Sequence, residues 1–269
     1  MAILFEKQVC LLTGASGGIG EAIAKQLASL GVSLILTGRN IGKLGKLVEA
    51  LPGQHTVVCA DLTQTEDMEK VVALCRDKSV TMLINNAGIT ETGAFTDASK
   101  EAVDSVITTN LVVPITLTQK LIPILQRAPD AHIINIGSTF GSIGFACHSL
   151  YCASKFGLRG WTESLMREYS GTNIHFHYFA PRATQTSINS AQATSMNQAL
   201  GNAVDAPDDV AQALIDMLNK NQSRRFLGFP EKWFVKINGA FPKLVDAALK
   251  KQLPTIQRYM KAPHEEKLS

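Results

Sequence analysis

The stretch "VCLLTGASGGIGEAIAKQL", Val9 to Leu27, decides the fold. It opens with apolar, strand-forming residues, passes through a glycine-rich loop and continues with small and apolar residues at helical spacing. Gly14 permits a sharp turn, Gly18 lets a backbone approach a pyrophosphate, and Gly20 lets the following helix pack on the sheet. Ser16 and Ile19 belong to the same loop. Amides at the N-terminus of the helix would then face phosphate oxygens. Strand, glycine loop and helix in that order point to a dinucleotide site.

Working outward, short runs rich in Val, Ile and Leu recur along the chain. They are Val9–Thr13, Ser33–Thr37, Thr56–Ala60, Met82–Asn85, His132–Gly137 and Ile174–Phe179, with a further candidate near Arg225. Several are continuously apolar, as strands covered on both faces must be. Helical patterns such as Ile19–Leu30 and Thr65–Lys78 separate them. Strands alternating with helices imply βαβ units. The expected fold is α/β, a Rossmann-type doubly wound parallel sheet of about seven strands with helices on both faces. Such a sheet binds ligands beyond the carboxyl ends of its strands.

The end of the second strand bears on cofactor choice. A site for NAD wants a carboxylate there to accept from the ribose 2′-hydroxyl. The sequence instead reads "LTGRN", with Gly38 in that region and Arg39 after it. A guanidinium can hold a 2′-phosphate through paired charged hydrogen bonds, and Lys43 would add charge. The expected cofactor is NADP(H).

Composition bounds the rest. With 269 residues, 45% hydrophobic and 18% charged, the chain reads as a soluble protein. The N-terminus lacks signal-peptide character, no apolar run is long enough to cross a bilayer, and the expected location is cytoplasmic. Five cysteines without C-x-x-C spacing read as reduced, and His175 and His177, which could share a strand face, read weakly as a metal site. The expected metal content is none. From Lys220 onward 11 Lys and Arg stand against 4 Asp and Glu, whereas the remainder carries 15 against 19. The basic character belongs to the tail, and no nucleic-acid partner is expected.

Three motifs occur in order: "TGASGGIG" from Thr13, "NNAG" from Asn85 and "YCASK" from Tyr151. Together they resemble the short-chain dehydrogenase/reductase family, over Lys7 to Gly228. The resemblance implies hydride transfer between a nicotinamide and a carbonyl carbon. It implies a catalytic set of Asn110, Ser138, Tyr151 and Lys155. It also implies cofactor contacts at Asp61 and Leu62, at Asn86, Ala87 and Gly88, at Pro181, and at Thr184 and Thr186. Tyr151 and Lys155 also belong to the cofactor-binding set. Spacing of four residues puts Tyr151 and Lys155 on one helix face. A phenol with a pKa of about 10 exchanges protons poorly at neutral pH, and a neighbouring ammonium favours its phenolate. Tyr151 would then be general acid in reduction and general base in oxidation, with Ser138 donating to the carbonyl oxygen. Pro114 has no N–H to offer the carbonyl of Asn110. A water held there would relay protons in this family.

One departure stands out. The family usually follows its sixth strand with Pro-Gly, where this chain has Pro181 and Arg182. Arg182 is expected to point into the substrate cleft and meet an anionic group. Ile143, Phe145 and Leu150 in the loop Gly141–Leu150 suggest an apolar substrate, and Thr186–Pro207 occupies the place of a mobile flap. Residues 1–229 form the expected dinucleotide-binding and catalytic domain. Residues 230–269 form a helical extension of it, with apolar clusters at Trp233, Phe234 and Ile237 and at Leu244, Val245, Ala248 and Leu249. That extension docks on protein or lies on a membrane surface as a basic amphipathic helix. The expected protein is an NADPH-dependent carbonyl reductase or alcohol dehydrogenase acting on an apolar ketone or aldehyde, a small-molecule substrate. The resemblance also implies a homodimer or homotetramer. A 3-oxoacyl thioester reductase of lipid synthesis and a non-catalytic NADP(H) sensor remain open.

Overall fold

In the computed structural model, which describes residues 3–186 and 191–260, every stretch read as a strand forms one. The strands are β1 (Val9–Thr13), β2 (Ser33–Gly38), β3 (Thr56–Cys59), β4 (Met82–Asn85), β5 (Ala131–Ile136), β6 (Ile174–Ala180) and β7 (Arg224–Phe226). The sheet order is β3-β2-β1-β4-β5-β6-β7, and every pair is parallel. The helices are α1 (Gly18–Ser29), α2 (Ile41–Glu49), α3 (Thr65–Asp77), α4 (Lys100–Ile107), α5 (Val113–Leu125), α6 (Ser149–Glu168), α7 (Ala191–Ala199), α8 (Pro207–Asn219), α9 (Glu231–Ala240) and α10 (Pro242–Met260).

Alternation along each strand builds two cores. Leu12 and Ile134 join Ile23, Leu27 and Leu214 on the face covered by α1 and α8. Leu11 and Ile133 join Val71, Leu117 and Leu121 on the face covered by α3 and α5. Each fully buried leucine or isoleucine contributes about 1.5–3 kcal/mol. The ion pairs are mostly exposed, as with Lys25 and Glu21, and such a pair contributes about 0–1 kcal/mol. Apolar burial on both faces therefore determines the sheet.

The order reverses at β1, which pairs with β2 on one side and β4 on the other. The connections therefore diverge above β1 and β4, and a crevice opens between the loops that leave them. A third cluster lies above this end of the sheet. Phe145 and Cys152 pack there with Ala193 and Met196 of α7 and Ile256 and Met260 of α10. The tail thus docks against the loop that precedes α6, while Trp233, Phe241 and Leu244 stay 50–65% exposed.

Candidate active site

The crevice widens into a cavity of about 810 Å³ that runs from the β1 loop to α10. Every residue assigned to the site from the sequence lines this cavity except Asn110. Glycine geometry shapes its floor. Gly14 has φ +63, and a Cβ there would lie 2.8 Å from Ala87 Cα. A Cβ at Gly20 would strike the carbonyl oxygen of Gly14 and come within 2.7 Å of Asn86 Nδ2. Gly18 differs from the expectation: the space beside it is filled by Thr186 Cγ2, which a Cβ would meet at 2.8 Å.

The floor fits a dinucleotide. Helix α1 starts at Gly18 without a side-chain cap, so its first amides need partners from elsewhere. Among the described residues, the buried hydroxyls of Thr37 and Thr186, both on the cavity wall, have no hydrogen-bond partner. Gly38 leaves room for Ser16, whose Oγ would be 3.1 Å from a Cβ there. Arg39 is exposed at the cavity edge, and no ion pair holds it among the described residues. Lys43 does not line the cavity; its N–H donates to Asn40 Oδ1, which caps α2. Asp61 also has local work: Thr63 N and Oγ1 donate to its Oδ1 at 3.0 and 2.7 Å.

The "NNAG" segment is tied to the glycine loop by a residue outside the expected set. Thr13 Oγ1 accepts from the N–H groups of Asn86 and Ala87, both at 3.0 Å. Asn86 Nδ2 donates back to the carbonyls of Thr13 and Gly14 at 3.0 and 3.1 Å. Asn86 therefore braces the loop with its amide group. Nothing in the sequence spacing separates that role from a cofactor contact.

At the reaction end, α6 carries Tyr151 and Lys155 on one face, with the Lys155 ammonium 5.7 Å from the centre of the Tyr151 ring. The Ser138 hydroxyl, just beyond β5, lines the cavity beside the Tyr151 phenol and accepts from Phe140 N–H at 3.1 Å. Lys155 Nζ donates to the carbonyl of Ile136 at 2.9 Å. Burial pushes the phenol up to about 12, with the Ser138 hydrogen bond opposing it, and pushes Lys155 down to about 8. Burial thus favours the neutral form of both groups. Burial opposes the effect expected of the ammonium, and the positive ring of an oxidised nicotinamide would act together with Lys155 to favour the phenolate.

Asn110 sits behind this group. It is fully buried in a π-helical turn, Thr108–Val112, closed by a bond from Val113 N–H to Thr108 carbonyl. Pro114 falls in the first turn of α5, where a missing N–H is tolerated. The Asn110 side chain accepts from Ile89 N–H at 2.9 Å and donates to Ile89 carbonyl at 2.8 Å and to Ser154 Oγ at 3.0 Å. It joins the loop after β4 to the helix bearing Tyr151. A Cβ at Gly88 would lie 3.3 Å from Asn110 Oδ1 and 3.7 Å from Lys155 Nζ, so the glycine lets the three groups close up.

Arg182 requires a second correction. Its guanidinium donates to Asp205 Oδ1 at 3.0 and 2.7 Å and pairs with Glu231 at 3.3 Å. Two carboxylates surround one cation, so this wall would repel an anion rather than attract one. His175 and His177 do share a face of β6, but they meet His132 and Asp130. His132 Nδ1 lies 3.1 Å from His177 Nε2, and Asp130 lies 3.1 Å from both His132 and His175. Among the described residues no group of His, Cys, Asp and Glu could hold a metal ion.

The far wall is apolar and comes from segments the sequence left open. Phe140 and Phe145 stack with ring centres 4.7 Å apart. Met196 of α7 and Val245, Ala248 and Leu249 of α10 complete the wall. Of the expected flap, Ser187 to Ser190 lie outside the described residues. No described helix is long and apolar enough to cross a membrane.

A parallel sheet with this crossover, glycine floor and Ser–Tyr–Lys corner defines a dinucleotide-dependent oxidoreductase class. The family model for short chain dehydrogenase matches residues 8–197, and the chain belongs to the short-chain dehydrogenase/reductase family. It is 34% identical over 221 residues to 3-oxoacyl-[acyl-carrier-protein] reductase FabG of Rickettsia bellii, covering 80% of this chain and 91% of that protein. Among solved structures it resembles a short-chain dehydrogenase from Streptomyces avermitilis, with TM-score 0.78 and 26% identity over 92% of this chain and 97% of that one. It also resembles a short-chain dehydrogenase from Sphingobium yanoikuyae in complex with NADPH. There the TM-score is 0.74 and the identity 26%, over 89% of this chain and 95% of that one. The family match ends before α9 and α10 begin.

Proposed function

We propose that the chain is an NADPH-dependent carbonyl reductase, reversible as an alcohol dehydrogenase, that acts on an apolar ketone or aldehyde. The observation that carries this reading is that Ser138, Tyr151 and Lys155 line the same cavity as the apolar side chains of Phe140, Phe145, Met196, Val245 and Leu249. The bound dinucleotide would supply the hydride. The residues around the glycine floor would hold its phosphates, with Arg39 at the 2′-phosphate.

Ser138 and Tyr151 would both donate to the carbonyl oxygen, which fixes the carbonyl and stabilises the charge that builds there. Tyr151 would pass its proton to that oxygen in reduction and take it back in oxidation. Lys155 would stay charged at neutral pH, since its value of about 8 lies above it. Asn110 would hold Ser154 and Ile89 so that α6 and the loop after β4 keep their spacing. Residues 230–269 are read as part of the same catalytic domain, and the active form as a homo-oligomer. A 3-oxoacyl thioester is the second substrate class, favoured by the name of the Rickettsia relative.

The test is NADPH consumption by purified protein against ketones, aldehydes and acyl thioesters of graded chain length, beside Tyr151→Phe. Turnover of apolar ketones that Tyr151→Phe abolishes is the expected result. Tight NADPH binding with no turnover of any carbonyl would defeat the reading and leave a cofactor sensor.

A further inference from the structure

Arg182 stands where three segments meet. The first is its own loop, which leaves β6 and lines the cavity beside Thr184. The second is the chain before α8: Asp205 N–H donates to Ala183 carbonyl and Gln185 N–H to Asp205 carbonyl, both at 2.9 Å. The third is α9, which opens with Glu231. The guanidinium reaches both acidic side chains, so one cation links the two ends of the segment 183–205 to the tail.

The turn into the tail is built around this link. Gly228 has φ +93, and a Cβ there would come within 2.8 Å of Arg182 Cδ and 2.5 Å of Glu231 Oε2. Only glycine suits both the backbone and the space. A second tie lies one helix length on, where Asn238 Nδ2 donates to the carbonyl of Ser142 at 2.8 Å, in the loop that follows Ser138. Helix α10 packs on α9 and α7 and presents Val245, Ala248 and Leu249 to the cavity.

We propose that Arg182, Asp205 and Glu231 form a clasp that makes the C-terminal helices a fixed wall of the substrate chamber. Arg182 and Glu231 are then positioning residues that set the preference for large apolar carbonyl compounds. This rests on the function proposed above. The side chains of the clasp are only 17–26% exposed, so loss of one partner leaves the others poorly solvated and unpaired. With the tie gone, α9 and α10 would hold to the core through Asn238 and a few apolar contacts. A large substrate that leans on Leu249 and Val245 would lose its orientation. A small one, held by Ser138 and Tyr151 alone, would not.

The experiment compares the full-length protein with Glu231→Gln, which keeps shape and removes charge, and with Arg182→Met. Backbone hydrogen exchange is followed in residues 231–260, and steady-state kinetics are measured on a long-chain ketone and on acetone. Exchange in α9 and α10 should rise about tenfold or more while β1, β4 and β5 stay protected. KM for the long ketone should rise on the order of tenfold or more, with kcat and KM for acetone within about twofold. Glu231→Asp should recover part of both effects. Leu249→Ala, which leaves the clasp intact, should alter size preference without altering exchange. Unchanged exchange in Glu231→Gln overturns the proposal, as does an equal loss on both ketones or a Leu249→Ala variant with unaltered size preference. If the wild type reduces no carbonyl compound, the proposed function falls, and exchange alone still judges the clasp.

Discussion

Lys155→Met tests the electrostatics of the site most directly. The ammonium lies 5.7 Å from the Tyr151 ring centre. At an effective dielectric constant of about 20 that separation gives about 3 kcal/mol between a phenolate and an ammonium. One pKa unit is about 1.4 kcal/mol, so the lysine should move the phenol by about two units. The starting point is high, because burial, only partly opposed by Ser138, sets Tyr151 at about 12. A phenol left there would ionise at pH 7 at a cost of about 7 kcal/mol. The positive ring of the oxidised cofactor and Lys155 must together remove most of that. The assay is the pH dependence of kcat for alcohol oxidation at saturating NADP+ and alcohol, which reports groups in the loaded enzyme. In Lys155→Met the ascending limb should move up by about two units, so kcat at pH 7 falls about 100-fold. A profile with its midpoint unmoved and only KM for the cofactor raised would refute the reasoning. Lys155 would then serve binding alone. The variant also removes the donor to Ile136 carbonyl, so its thermal unfolding should be recorded beside the wild type.

Two further outcomes are expected. Arg39→Asp should raise KM for NADPH by on the order of tenfold or more while changing KM for NADH far less; parallel effects on both cofactors would remove Arg39 from the 2′-phosphate. Burial pushes His177 down to about 4, against an unfolded value of about 6.5, while its Nδ1 lies 3.0 Å from the carbonyl of Gln222. The folded protein then binds fewer protons at His177 than the unfolded chain between those values. The stabilisation is complete above pH 6.5 and is lost as pH falls toward 4, about 2 kcal/mol of it between pH 7.5 and 5. Urea unfolding of His177→Asn should show a shallower acid slope, and an identical slope would count against a neutral buried imidazole.

Local pattern carried the secondary structure because its causes are local. Val9–Thr13 and Met82–Asn85 are apolar runs between turn residues, and the strands keep those bounds. The Tyr151–Lys155 pair was equally legible, since four residues on a helix fix a shared face whatever surrounds them. Arg39 and Gly38 were legible because the strand end places them beside the glycine loop in any sheet of this topology.

What tertiary structure decided was every property that depends on distant neighbours. Arg182 looks like a free cation in sequence, yet Asp205 and Glu231, 23 and 49 residues away, neutralise it. Asn110 reads as a helix residue before a proline, and only folding brings Ile89 and Ser154 to its amide. The pKa order of Tyr151 and Lys155 follows from desolvation, which no spacing encodes. The substrate wall on α10 came from packing a tail whose amphipathic pattern allowed other partners. The sequence by itself determined the strands, the parallel α/β class and the helix face that Tyr151 and Lys155 share, because short-range sterics and periodicity suffice for these. Charge balance, proton affinity and chamber shape needed the folded molecule, because each is a sum over contacts made across the chain.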